Sequence, residues 1–261
     1  MIIGDLLDGE FLTDSLVIIS YLLKKDKAWV LSHLDDPIEM GIADKIRKLI
    51  DKRKSGYPLA FIINEKEFMG LDFYVEEGVF IPRPETETLV QLAIEYIKKH
   101  GVKKAAEIGC GSGAISVSLA YYTKVKIYAT DISKKAVDIT IKNAKKHGVI
   151  SFIDAKCGKF LEPFEDQLNN IELVVSNPPY VEPEYKLPRE ALYEPKAAFF
   201  WGNSSLDFYK EFKRRYANMD WTVIMEFSGK DRDKDEIKYI FREVNFKKDL
   251  DGVERFFIGH V

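Results

Sequence analysis

Three clusters of residues in this sequence have types and spacings that could do chemistry. The first lies in "EIGCGSGAISV", where Gly109, Gly111 and Gly113 alternate with other residues between a strand-like and a helix-like run. Glycine belongs where a chain turns sharply and its backbone must approach a ligand. The spacing is G-x-G-x-G, not the G-x-G-x-x-G that seats a dinucleotide pyrophosphate on a helix N-terminus. Taken alone, the loop could also be a tight turn with no ligand. The second cluster is Asp131, which closes "KIYATD" about twenty residues later. An acid at the carboxyl end of a strand can accept both hydroxyls of a ribose, although it could equally serve a turn or a cap. Glu107, just before the loop, could orient the amino-acid part of such a ligand. The third is Asn177-Pro178-Pro179-Tyr180, which ends the run "IELVVS".

S-adenosylmethionine carries a ribose but no pyrophosphate, so the glycine loop and Asp131 together read as a class I methyltransferase half-site. The third cluster suits the acceptor in such a transfer. An amide or amino nitrogen has a delocalised lone pair that must be turned toward the methyl donor while its N–H groups are held elsewhere. An Asn side-chain oxygen and the backbone carbonyl of the locked Pro178 offer two acceptors in fixed directions. Tyr180 offers a flat face to pack on a planar group. Such a site works by positioning and partial charge stabilisation, with no general base needed before transfer. The plain alternative is turn chemistry at Asn-Pro-Pro and a core aromatic at Tyr180.

The elements that must position these residues can be read from periodicity. Residues 1–56 show apolar residues recurring at three and four, which predicts a small helical domain with N-caps at Thr13 or Asp14 and at Asp26. Residues 57–83 turn strand-like and aromatic, with turn signals at Asn64-Glu65, Gly70 and Gly78, which predicts a β-hairpin linker. Residues 84–261 alternate strand and helix. Strands are expected near 104–109, 126–131, 150–156, 171–177 and 221–227, with helices near 85–100, 113–122, 133–147, 205–218 and 232–243. The tail "FKKDLDGVERFFIGHV" adds two strands around Gly252. The expected fold class is α/β, a mostly parallel sheet covered by helices on both faces. Asn177 then sits at the carboxyl edge of the fourth strand of the sheet, where open α/β folds bind ligands.

Charge and composition narrow the partners. The 261 residues carry a formal net charge of −3, and residues 1–80 hold 10 Lys and Arg against 15 Asp and Glu. No basic face is offered for following phosphates, so nucleic acid is not the expected substrate. No apolar run is long enough to span a bilayer. The start lacks a basic segment and a small-residue cleavage site. Cys110 and Cys157 are the only cysteines and make no disulfide framework. A cytoplasmic protein with no membrane association is expected.

The sequence resembles the HemK/PrmC-type protein-(glutamine-N5) methyltransferases over essentially its whole length. The resemblance is carried by "KRKSGYPLAFI", "FMGLDFYVEEGVFIPRPETETLV", "EIGCGSGAISVSLA", "SNPPYV", "YEPKAA" and "DLDGVERF". Asn-Pro-Pro-Tyr alone is shared with amino-methyltransferases acting on DNA; "FIPRPETE" is more specific to the glutamine enzymes. The resemblance implies a seven-stranded class I methyltransferase domain and an N-terminal helical domain that recognises the substrate. The substrate would be the glutamine in the Gly-Gly-Gln loop of peptide-chain release factors, the cofactor S-adenosylmethionine, and the by-product S-adenosylhomocysteine, with translation termination tuned as a result. No metal is implied.

Residue by residue, Gly109, Cys110, Gly111, Ser112 and Gly113 would hold the methionine end of the cofactor, with Glu107 beside it. Asp131 and Ile132 would hold the ribose and its surroundings, Phe80 would line the pocket, and Phe160 would flank the adenine. Arg83 and Glu85 would shape a lid, unless Arg83 is a salt-bridge residue at the domain junction. Asn177, Pro178, Pro179 and Tyr180 would grip the target amide, with Arg83 also among the substrate-binding residues, and Asn177 would also border the cofactor. The sequence departs from the family pattern in four ways. Lys159 replaces an acid before the adenine-flanking aromatic, and Cys110 stands where Thr is usual. "FFWGNSSLDF" (199–208) replaces a glycine-rich stretch, and the helical domain is short. Two other readings are a DNA or RNA amino-methyltransferase using the same corner and a non-catalytic protein that binds S-adenosylmethionine.

Overall fold

In the computed structural model, which describes residues 1–261, the expected alternation of strand and helix is present. Two compact units divide the chain, one formed by residues 1–65 with 187–193, the other by 66–186 with 194–261.

The smaller unit contains α1 (Leu12–Leu23), α2 (Lys27–Ser32), α3 (Met40–Lys54) and α4 (Leu59–Ile63). The apolar residues at helical spacing close on one another, so Ile18, Ile19, Ala43 and Ile46 are completely buried. Asp26 caps α2 as expected, its carboxylate accepting the Trp29 N–H at 2.7 Å. Neither Thr13 nor Asp14 caps α1, which starts after Phe11. Asp8 instead accepts the N–H groups of Glu10 and Phe11, while Asp14 pairs with Arg53 of α3 at 2.5 Å. Residues 59–63, expected to be extended, form α4. Pro58 is well placed just ahead of a helix, and burial of Phe61 and Ile62 outweighs the strand preference of the Phe-Ile-Ile run.

In the larger unit, β1 (Glu65–Phe68) and β2 (Leu71–Tyr74) form the hairpin. Both residues of its two-residue turn have positive φ, Met69 at 55° and Gly70 at 70°, as the twist of a tight hairpin requires. The rest reads α5 (Thr86–His100), β3 (Lys104–Ile108), α6 (Ala114–Thr123), β4 (Lys126–Asp131), α7 (Lys134–Lys146), β5 (Ile153–Cys157), β6 (Leu173–Ser176), α8 (Asp207–Arg215), β7 (Thr222–Glu226), α9 (Asp231–Ile240), β8 (Arg242–Lys248) and β9 (Glu254–His260). Phe241 turns extended and β8 begins at Arg242, so the helix expected to reach 243 is shorter.

The seven strands order as β5-β4-β3-β6-β7-β9-β8. The first five in space are parallel, and β9 joins antiparallel to β7 and β8. Successive residues of β6 feed opposite faces, with Leu173 and Val175 in one core and Val174 in the other. One core packs α5, α6 and the hairpin, and the other packs α8, α9 and an aromatic set that includes Phe160, Phe212 and Trp221. Between β3 and β6 the order of connection reverses, which leaves a crevice at the strands' carboxyl ends. No helix is long and apolar enough to cross a membrane.

Candidate functional site

Three strands end at one cavity, delivering Glu107 and Ile108 from β3, Thr130 and Asp131 from β4, and Asn177 and Pro179 just past β6. The cavity holds about 330 Å³, within the range of small-molecule sites. Phe68, Phe80, Arg83, Phe160, Trp201 and Phe208 supply much of its remaining wall.

The glycine loop lies against the cavity in a conformation its sequence dictates. Gly109 and Gly113 have φ of +77° and +82°, a region that side chains with a Cβ avoid. At Gly113 a Cβ would also lie 3.0 Å from Thr140 Cγ2 and 3.1 Å from its Cα. Gly113→Ala is therefore expected to destabilise the chain by about 2 kcal/mol, from backbone strain and crowding together. Urea unfolding of the two proteins would measure the difference, and an unchanged midpoint would refute it.

The loop is fixed from behind by α7. Thr140 Oγ1 donates to the Gly111 carbonyl at 3.2 Å, and Asn143 Nδ2 donates to the Ser112 carbonyl at 2.8 Å. Asn143 also exchanges two hydrogen bonds with the backbone of Tyr74, so one buried amide couples the loop to the hairpin. Four of the loop's five N–H groups are engaged within the protein. Gly109 and Cys110 donate to the Thr130 carbonyl at 2.8 and 2.9 Å, and Gly113 donates to Cys110 at 2.7 Å. Gly111 donates to Asp131 Oδ2 at 2.9 Å.

Asp131 Oδ1 accepts the Ser133 N–H at 2.8 Å, and Ser133 in turn caps α7 through Ala136 at 3.3 Å. Burial pushes the Asp131 carboxyl up, and its two backbone donors pull it back. Glu107 is almost completely buried and accepts the Ser116 N–H at 2.9 Å. Loss of hydration pushes its carboxyl up to about 8. The only basic side chain on the wall, Arg83, is ion-paired with Glu194 and lies 4.6 Å over the Phe80 ring. Two buried carboxyls and several aromatic rings thus face the cavity, no unpaired basic side chain does, and the N–H groups of Gly109, Cys110, Gly111 and Gly113 are already engaged. These residues fit a cationic ligand with a ribose and an aromatic base.

Ile132 is half exposed beside Asp131 and lines the cavity. Phe160 adopts a φ of +49° and lies in an aromatic group with Trp201, Phe208, Phe212 and Tyr216. Lys159 pairs with Glu211 at 2.9 Å and lies 4.9 Å over Trp201. The divergent stretch 199–208 therefore supplies two cavity-wall rings, Trp201 and Phe208. Glu85 is exposed at the start of α5 and lies outside the lining.

Of the Asn-Pro-Pro-Tyr residues, Asn177 and Pro179 line the cavity, whereas Pro178 and Tyr180 do not. A buried network runs inward from Asn177 and Thr86, which both line the cavity. Asn177 Nδ2 donates to Thr86 Oγ1 at 3.0 Å, Thr86 Oγ1 donates to Glu226 Oε2 at 2.9 Å, and Tyr180 donates to Glu226 Oε1 at 2.6 Å. Tyr209 donates to the Glu226 carbonyl at 2.6 Å. Sequence reasoning did not single out Thr86, Asn143, Glu194, Trp201 or Glu226. Glu226 carried a usable signal, an acid closing the buried strand "TVIME" just as Asp131 closes its own. Asn143 and Thr86 carried none, since a polar residue on a helix is ordinarily solvated.

Comparison with known proteins agrees with this geometry. Residues 70–191 match the family model described as methyltransferase small domain, and residues 9–63 match the PrmC N-terminal domain. A release factor glutamine methyltransferase of Dictyoglomus turgidum is 40% identical over 220 residues, 81% of this chain and 76% of that protein. Another, from Aquifex aeolicus, is 32% identical over 97% of this chain and 92% of its own. Among solved structures, the catalytic domain of human METTL16 in complex with a MAT2A 3′UTR hairpin aligns with a TM-score of 0.58 at 15% identity. That alignment covers 77% of this chain and 78% of the other. At that identity it establishes a common fold only. The methyltransferase sheet, the matching N-terminal domain and these relatives lead to one conclusion: the chain belongs to the family of release factor glutamine methyltransferases.

Proposed function

We propose that this chain transfers a methyl group from S-adenosylmethionine to the side-chain amide nitrogen, N5, of the glutamine in the Gly-Gly-Gln loop of peptide-chain release factors. The observation that carries this reading is the placement of Asn177. It stands at the carboxyl end of β6, on the wall of a cavity whose other strand ends bring Glu107 and Asp131.

The cofactor supplies an electrophilic methyl carbon on a sulfonium. Asp131 provides acceptors that suit the ribose hydroxyls, and Glu107, whose buried carboxyl would ionise more readily beside a bound cation, suits the amino-acid portion, with Gly109 to Gly113 against it. Phe80, Ile132 and Phe160 give its apolar surfaces a dry wall, and Trp201 completes the wall beside Phe160. Asn177 Oδ1 would accept one N–H of the target amide from the cavity wall, and the carbonyl of Pro178, a residue buried just outside that wall, would accept the other, so that the lone pair is aimed at the methyl carbon. Pro179 borders the acceptor, Tyr180 braces the corner from behind, and Arg83 with Glu194 holds the far wall. Transfer would break the methyl–sulfur bond and leave S-adenosylhomocysteine, and the alkylated amide, a strong acid, would shed a proton to water, so no dedicated base is needed. The acidic residues 1–80 and the absence of a basic module suit a protein partner in the cytoplasm.

The test is label transfer. Incubated with S-adenosylmethionine carrying a tritiated methyl, the protein is expected to label a release factor and to leave its Gly-Gly-Gln Gln→Ala variant unlabelled. Label persisting on that variant, or entering DNA or RNA instead, would overturn the proposal.

A further inference from the structure

An Asn side chain is useful as an acceptor only if its oxygen, and not its nitrogen, faces the substrate. The two ends of the amide are nearly the same size, so shape alone does not choose between them. The choice must come from what binds the buried end.

Here that partner is a hydroxyl, which has one proton to give and lone pairs to receive. Thr86 is 4% exposed and Glu226 is 3% exposed. Glu226 Oε2 stands 2.9 Å from Thr86 Oγ1, and Oε1 is occupied by the Tyr180 hydroxyl at 2.6 Å. A carboxylate can only accept, so the single Thr86 proton points at Glu226. Thr86 must then accept from Asn177, which turns Nδ2 toward Thr86 at 3.0 Å and leaves Oδ1 for the cavity. We infer that Glu226 and Thr86 are positioning residues for methyl transfer, acting together to lock the Asn177 amide with its oxygen toward the substrate. This rests on the function proposed above.

The relay has a sign with respect to pH. If Glu226 takes up a proton on Oε2, it becomes the donor to Thr86. The Thr86 proton is then free to turn toward Asn177, and the amide oxygen is drawn away from the cavity. Burial pushes the Glu226 carboxyl up to about 7, with Glu85 raising it further and Tyr180, Thr86 and Arg255 opposing. Tyr209 of α8 contacts the Glu226 backbone. The Tyr180 hydroxyl is driven well above its usual range by burial beside Glu226, so it remains a donor throughout. Arg255 is engaged by Asp249 at 2.6 Å. Turnover should therefore rise with pH through about 7 as Glu226 ionises.

Three variants and one spectroscopic measurement test this. Thr86→Val and Glu226→Gln are expected to lower kcat about a hundredfold, the scale of losing one aligned polar group at a reacting centre. The KM for the release factor and the affinity for S-adenosylmethionine should stay within about threefold, because the lock acts on orientation and not on binding. Thr86→Ser restores the hydroxyl and should recover most of the turnover that Thr86→Val loses. The acid limb near pH 7 should be absent from Glu226→Gln. Independently of activity, the side-chain NH2 resonances of Asn177 in the wild-type chain without substrate should shift with pH around the same midpoint.

The inference fails if kcat survives in both Thr86→Val and Glu226→Gln, or if Thr86→Ser is as impaired as Thr86→Val. It also fails if the Asn177 NH2 resonances do not respond to pH. A wild-type chain inactive on release factors would sink the proposed function instead, and the resonances would still decide the relay.

Discussion

Asn177→Ala is expected to reduce methyl transfer to the release factor by a factor of about a hundred to a thousand, while S-adenosylmethionine still binds. Oδ1 is the acceptor that would hold one N–H of the target amide, and nothing else at the end of β6 can replace it. Losing one fixed polar contact at a reacting centre typically costs that much in kcat. The substitution spares Asp131, Glu107 and the glycine loop, whose mutual hydrogen bonds do not involve Asn177. Cofactor affinity should therefore change only a few-fold. Titration calorimetry with S-adenosylmethionine, run beside the label-transfer assay, separates the two effects. Collapse of cofactor binding would place Asn177 mainly in the cofactor site.

Asp131→Ala should produce the opposite pattern. Its carboxylate holds the Gly111 and Ser133 N–H groups from within the site, and on the proposed reading it also accepts the ribose hydroxyls. Hydrogen bonds to a charged group contribute about 1.5–3 kcal/mol each. Losing two of them corresponds to a rise of about a hundredfold or more in the dissociation constant for S-adenosylmethionine. Turnover at saturating cofactor should fall much less, because the acceptor end of the cavity is untouched. A dissociation constant within about threefold of wild type would show that Asp131 serves the turn alone.

Much of the larger unit was legible because its signals are local. Glycines at fixed spacing, an acid closing a strand and alternating apolar runs placed β3, β4, β6 and β7 within about two residues. Local rules failed where tertiary burial decided. Tyr57 to Ile63 is rich in strand formers, yet Phe61 and Ile62 are buried as part of a helix. The site was half legible for the same reason. Asn177 announced itself through the prolines beside it. Thr86 and Glu226, inferred to hold its amide in place, lie 140 residues apart, and only the packing of α5 on β7 brings them together. Tyr180 stands out in the sequence, but its partner does not. The sequence suggests a ring facing substrate, and the structure shows its hydroxyl bound to Glu226 behind the cavity wall.

The pairing of Arg83, the one basic side chain on the cavity wall, with Glu194 bears on how such a site would sort look-alike metabolites. Any adenosine derivative could present the same base and sugar to Phe160 and Asp131. On the proposed reading, however, an adenine nucleotide would extend its negative phosphates toward two buried carboxyls, Glu107 and Asp131, on a wall whose one basic side chain, Arg83, is already paired with Glu194. Burying phosphate charge beside carboxyls with no unpaired cation is costly. The same wall that suits a sulfonium would therefore disfavour nucleotides without any residue set aside to reject them.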